Sequence, residues 1–138
     1  MPNKIIWKQE YNTGIEDIDV QHQYFAMLIN RLSVGLVKSK DEFYNGRLLD
    51  ELSRYASFHF VSEENIMIHN KYPFFKEHRE LHLELINELN EKINLFRMAI
   101  TTIETVINFL MKWFIQHTVK FDRKIGQYCE GVDHTHVK

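Results

Sequence analysis

Five histidines, one glutamate and one aspartate in this chain have the side chains and the helical spacing of metal ligands. His59 and Glu63 stand four residues apart, as do His78 and His82, so on a helix each pair shares one face. His22 lies in an earlier amphipathic segment, and His117 precedes Asp122 in the last one. One such pair is within the reach of chance, and one histidine on an apolar stripe is usually a core residue with a satisfied hydrogen bond. The joint pattern reads differently. Every one of these residues falls on or beside the apolar stripe of its own segment. Burying all of them without a counter-ion would cost roughly several kcal/mol for each group that stayed charged. A bound metal removes that cost by turning imidazole nitrogens and carboxylate oxygens into ligands.

Four helices must carry these side chains to one place. The first is predicted over residues 19–38, with His22, Phe25, Ile29, Leu32 and Leu36 recurring at helical spacing. The second, 41–70, carries Leu48, Leu52, Tyr55, His59, Glu63 and Ile66 on one stripe, with Ser39 and Glu42 at capping-box spacing. The third, 73–96, opens at Pro73 and aligns Phe74/Phe75, His78, His82, Leu85, Leu89, Ile93 and Phe96. The fourth, 101–128, starts at a Thr101–Glu104 capping box and aligns Ile103, Val106/Ile107, Leu110, Trp113/Phe114, His117 and Phe121. No stretch alternates with period two, so no sheet is expected. The reading is one all-α domain, an up-down-up-down four-helix bundle over 1–138. It has an N-terminal arm (1–18), in which Trp7 anchors, and a fraying tail (129–138).

Level matters as well as face. In an antiparallel bundle with a rise of about 1.5 Å per residue, His22, His59/Glu63, His78/His82 and His117/Asp122 all fall at the same end. Asp122 alone strains the pattern. In an ideal helix it lies about 140° around from His117, so it either reaches in from the flank or sits on a local π-type turn.

Composition narrows the setting. The chain has 138 residues, 44% of them apolar and 26% charged, as in a soluble globular protein. The longest apolar run, Tyr24 to Ile29, is too short to span a bilayer, and the N-terminus lacks a signal-peptide core. Cys129, the single cysteine, suits a reducing compartment, so the expected location is cytoplasmic. A net charge of −2 without a basic block argues against nucleic acid or an anionic membrane as partner. His134 and His136 in the tail, and His69 at the end of helix two, read as solvated. Glu64 reads as solvated or hydrogen-bonded behind the metal face.

These motifs resemble the hemerythrin family in its bacterial single-domain form. The residues that carry the likeness are Gly14-Ile15-Glu16-Asp17-Ile18-Asp19-Val20-Gln21-His22, His59-Phe60-x-x-Glu63-Glu64, His78-x-x-x-His82 and Trp113-x-x-x-His117-x-x-x-x-Asp122. The resemblance implies a non-haem di-iron centre that binds O2 reversibly and takes small anions at the same place. Position by position, His78, His82 and His117 would hold one iron, His22 and His59 the other, and Glu63 and Asp122 would bridge them. With an oxo or hydroxo bridge, a pair of octahedral irons then has one open position, on the iron with fewer histidines. Phe25, Phe60, Trp113 and Phe114 are expected to wall a dry O2 pocket beside that iron. Relatives usually carry Ile or Leu where this chain has Thr118, so a looser lid is expected here.

The implied role is storage, delivery or sensing of O2 without catalysis. Two alternatives stand beside it. One is a di-iron enzyme acting on peroxide, nitric oxide or ferrous iron. The other is an O2-responsive regulatory module, which would need a separate protein partner.

Overall fold

Apolar residues recurring every third or fourth position give each long segment one face to bury, and in this protein those faces meet in a four-helix bundle. The structure, a computed structural model, describes residues 4–38 and 41–135. Its helices are α1 (Glu16–Lys38), α2 (Glu42–His69), α3 (Phe75–Arg97) and α4 (Ile103–His117). A π-helical turn over Thr118–Asp122 then leads directly into α5 (Arg123–Thr135), so α4, the turn and α5 together make the fourth arm of the bundle. The described residues contain no strand. Helix α1 packs on α2 and α4, and α3 packs on the same two, which closes the ring. Among the described residues, no helix is long and apolar enough to cross a membrane.

The core divides in two. The larger part runs through the bundle and includes Phe25, Leu32, Leu49, Leu52, Val106, Leu110 and Phe114, each no more than 1% exposed. A smaller cluster of Met67, Tyr72, Ile125 and Cys129 closes the end where α2 turns into α3. Between the two lie the buried polar side chains.

Several helix boundaries differ from the sequence reading, each for a local reason. Helix α1 begins at Glu16 rather than at residue 19, because Asp19 is already in its first turn. The Asp19 carboxylate reaches back to accept Thr13 N–H (2.7 Å), Thr13 Oγ1–H (2.8 Å) and Gly14 N–H (3.1 Å). Asp41 caps α2, its carboxylate accepting Phe43 N–H at 3.0 Å and Tyr44 N–H at 3.2 Å. Pro73 and Phe74 stay in the turn before α3, which leaves Phe74 exposed rather than on the apolar stripe. Thr101 does not cap α4. Its N–H is drawn to Leu95 O in the turn that ends α3, so Thr102 takes the cap position without a side-chain bond. On α2, Met67 rather than Ile66 is fully buried.

The C-terminal segment also departs from expectation, being helical to Thr135 instead of fraying after residue 128. Ile125 and Cys129, buried against Met67 and Tyr72, hold its inner face. Gly126 lets it approach the loop before α1 so closely that any Cβ there would overlap the Thr13 carbonyl. Pro2, Ser39 and His136 lie outside the described residues, as do the side chains of Leu36 and His134.

Both turns at the ends of α2 and α3 are Schellman motifs. Tyr72 N–H bonds Met67 O (2.8 Å) and Lys71 N–H bonds Ile68 O (3.1 Å), while Ile100 N–H bonds Leu95 O and Ala99 N–H bonds Phe96 O, both at 2.9 Å. The left-handed position, usually glycine, is Lys71 (φ 55°) in one and Ala99 (φ 60°) in the other. The arm is tied down by a two-way bond, Ile5 N–H to Asn30 Oδ1 (2.7 Å) and Asn30 Nδ2–H to Ile5 O (2.8 Å). Trp7, half-buried, packs edge-on against Tyr11 and reaches Phe114.

Candidate metal centre

Helix α2 supplies the middle of the site. Its i,i+4 pair brings His59 Nε2 within 3.1 Å of Glu63 Oε2. From α1, His22 Nε2 comes to 3.2 Å from the same oxygen and 2.9 Å from Asp122 Oδ2. From α3, His82 Nε2 lies 3.1 Å from Glu63 Oε1, and His78 Nε2 lies 3.1 Å from Asp122 Oδ1 and 3.6 Å from Glu63 Oε1. His117 of α4 places Nε2 3.0 Å from Asp122 Oδ1. All seven side chains expected at the site are therefore together, and all are buried.

The distances sort the donors. One oxygen of each carboxylate, Glu63 Oε1 and Asp122 Oδ1, faces His78, His82 and His117; the other, Glu63 Oε2 and Asp122 Oδ2, faces His22 and, for Glu63, His59. Glu63, His78, His82, His117 and Asp122 form one group able to hold a metal, and His22, His59, Glu63 and Asp122 form another, sharing the two carboxylates.

The π turn answers the Asp122 question. Widening the helix by one residue brings Asp122 back beneath His117, so the carboxylate enters along the axis of the bundle and not from its flank.

Several of these contacts are short yet are not aligned as hydrogen bonds. His59 Nε2, His82 Nε2, His117 Nε2, Glu63 Oε1 and Asp122 Oδ2 are all buried without a hydrogen-bond partner. Such orphans are rare in a native core, and here they converge. A donor set of imidazole nitrogens and shared carboxylates suits a binuclear metal site.

Electrostatics agree with that fit. Burial favours neutral Glu63, but His59, His22 and His78 outweigh it and hold its carboxyl well below the usual range. Asp122 is likewise lowered: burial and the Glu63 charge oppose ionisation, and contacts with His117 and His22 prevail. Burial would lower His22 and His78, yet their bonds to Asp122 and Glu63 raise both to about 9. His117 is pushed down, with burial dominant. Both carboxylates are thus present in the anionic form that a cation needs.

Aromatic rings surround the imidazoles. Phe60 stacks on His82 with centroids 3.9 Å apart and planes at 9°, and Trp113 stacks on His117 at 5.8 Å. Phe114 meets His22 edge-on at 6.0 Å, and Phe25 lies 6.4 Å from His59 while contacting Trp113 and Phe114. Thr118, the first residue of the π turn, is buried, its N–H directed to Ile115 O and Phe114 O.

Sequence reasoning missed one contributor and left another open. Gln21 Oε1 lies 2.7 Å from His59 Nδ1, its Nε2–H bonds Ser62 Oγ at 3.0 Å, and its carbonyl accepts Tyr55 O–H at 3.2 Å. Its position just before His22 was the only available signal. Glu64 is not solvent-facing alone: its Oε2 lies 2.9 Å from His82 Nδ1. His69 is exposed, as expected.

Comparison with known proteins gives this geometry its context. Residues 13–129 match the family model described as the hemerythrin HHE cation binding domain. A bacteriohemerythrin from Campylobacter jejuni is 32% identical over 82% of this chain and 86% of its own length. One from Pseudomonas aeruginosa is 27% identical over 95% of this chain and 83% of its own. The crystal structure of a wild-type hemerythrin superposes with a TM-score of 0.81 at 25% identity, covering 89% of this chain and 95% of that one. With this match across most of its length and the paired donor sets at one end of the bundle, the chain belongs to the hemerythrin family.

Proposed function

We propose that this protein binds O2 reversibly at a pair of irons, for storage, delivery or sensing, and does not transform it. His78, His82 and His117 would hold one iron and His22 and His59 the other, with Glu63 and Asp122 bridging. The observation that carries this reading is the division of each carboxylate's two oxygens between unequal histidine sets. The set with fewer imidazoles is one ligand poorer, so an exchangeable position falls beside His22 and His59. When bound, the irons supply the electrons that O2 takes up and returns.

The remaining work belongs to the chain. Phe25 and Phe114 cover the His22/His59 side, and Trp113 backs them, so water is kept from that position. Imidazole-rich ligation adds little negative charge, which disfavours the high-valent chemistry of carboxylate-rich di-iron oxidases.

A second reading, an enzyme acting on ferrous iron, peroxide or nitric oxide, is favoured by one feature. A surface cavity of about 440 Å³, lined by Glu77, Glu80, Glu84 and Lys124, reaches His78 and Phe121. Anaerobic reduction of the iron-loaded protein, followed by cycles of O2 addition and removal under optical spectroscopy, separates the two. A visible charge-transfer band that appears and disappears with O2 supports binding. Irreversible conversion to the ferric form in the first cycle supports the enzyme.

A further inference from the structure

Two of the five histidines are gripped from behind by the neighbour of another ligand, and the two grips differ in charge. Gln21, next to His22 on α1, places its amide oxygen 2.7 Å from Nδ1 of His59 on α2. Glu64, next to Glu63 on α2, places a carboxylate oxygen 2.9 Å from Nδ1 of His82 on α3. In each case the acceptor keeps the proton on Nδ1 and turns the Nε2 lone pair toward the cluster. Both grips are themselves held: Gln21 by Ser62 and Tyr55, and Glu64 by its largely covered position, 17% exposed.

We propose that Gln21 and Glu64 are positioning residues that make the two metal positions electronically unequal. An anionic acceptor strengthens the Nδ1–H bond and pushes charge onto Nε2, which favours the more oxidised metal. A neutral amide does so less. Glu64 therefore biases the His78/His82/His117 position toward the ferric state. Gln21 leaves the His22/His59 position, where the exchangeable site falls, easier to reduce. The inference rests on the di-iron reading above.

The test uses the near-isosteric swaps Glu64→Gln and Gln21→Glu in the full-length, iron-loaded protein, with iron content and midpoint potential measured together. Glu64→Gln is expected to raise the potential and Gln21→Glu to lower it, with iron affinity in the first falling roughly 10–100-fold. A merely structural role would not move the two in opposite directions. Shifts of the same sign, or none, with two irons retained would overturn the inference alone. Wild-type protein that holds fewer than two irons would overturn the functional reading and this inference with it. If a variant does not retain iron, the zinc-loaded form decides by proton NMR. There the His82 Nδ1–H resonance is expected downfield of that of His59, moving upfield in Glu64→Gln, and an unmoved resonance overturns the proposal.

Discussion

His117 Nε2 and Asp122 Oδ1 lie 3.0 Å apart across a single π-helical turn, Thr118–Asp122. The turn acts as a one-residue insertion, so removing one residue should restore an α-helix with the carboxylate still on the face of His117. Deletion of exposed Lys120 is therefore expected to preserve the register of Ile125 and Cys129 and to keep metal binding within about tenfold. Deleting Val119 and Lys120 together should swing Asp122 by about 100° and abolish binding at both positions. Metal analysis of the two variants checks this, and equal loss in both would contradict it.

Glu63 is wholly buried and touches four histidines. Glu63→Ala strands those imidazoles, and the metal-free protein is expected to lose about 3–5 kcal/mol, as when one partner of a buried charge pair is removed. The loaded form should lose both metals together, because Glu63 belongs to both donor groups. Urea titration and metal counting measure the two effects. A variant that kept one metal at full occupancy would show that the positions fill independently.

In the metal-free protein, burial opposes a charge on His22 and His78, but Asp122 and Glu63 raise both to about 9. A raised imidazole stabilises the fold fully below its unfolded value of about 6.5 and loses that contribution as pH climbs through its folded value. The metal-free chain is therefore expected to lose stability between about pH 6.5 and 9. The loaded chain should not show this loss, since metal replaces the protons. Denaturation midpoints of the two forms across that window provide the check, and a metal-free profile that rises with pH would contradict it.

Thr118 is buried beside the cluster, at the start of the π turn. Threonine brings a hydroxyl and less bulk than isoleucine to a buried position. On the proposed O2-binding reading, in which Thr118 forms part of the lid, Thr118→Ile is expected to slow autoxidation of the O2 complex severalfold by closing the pocket to water and anions. Stopped-flow and long-term optical decay measure the rate. An unchanged or faster decay would show that access is controlled elsewhere.

Ala99 holds the left-handed position of the α3 Schellman turn at φ 60°, far from the metal end. An L-residue with a Cβ costs roughly 1 kcal/mol there, so Ala99→Gly should stabilise the fold by about 0.5–1 kcal/mol without changing metal content. Thermal melts of the metal-free protein would register the gain.

The amino-acid sequence by itself determined which residues face inward and at what height. Helical periodicity specifies an angle around each axis, and residue number specifies a level along it, which was enough to gather His22, His59, Glu63, His78, His82, His117 and Asp122 at one end. The four rings expected beside His22 and His59 do lie near the ligands, but not all on that side: Phe25 meets His59 and Phe114 meets His22, whereas Phe60 stacks on His82 and Trp113 on His117. Tertiary structure decided what an angle and a level leave open. Asp122 could have reached in from the flank, and only the backbone hydrogen bonds choose the π turn. Thr101 has the spacing of a cap, but the closing turn of α3 takes its N–H first. Gln21 sits just off the stripe of α1, and its role depends on a histidine from another helix, His59, arriving within 2.7 Å. Periodicity describes one helix at a time, whereas hydrogen bonds between helices depend on how their axes approach and rotate, so those partners became visible only when the bundle closed.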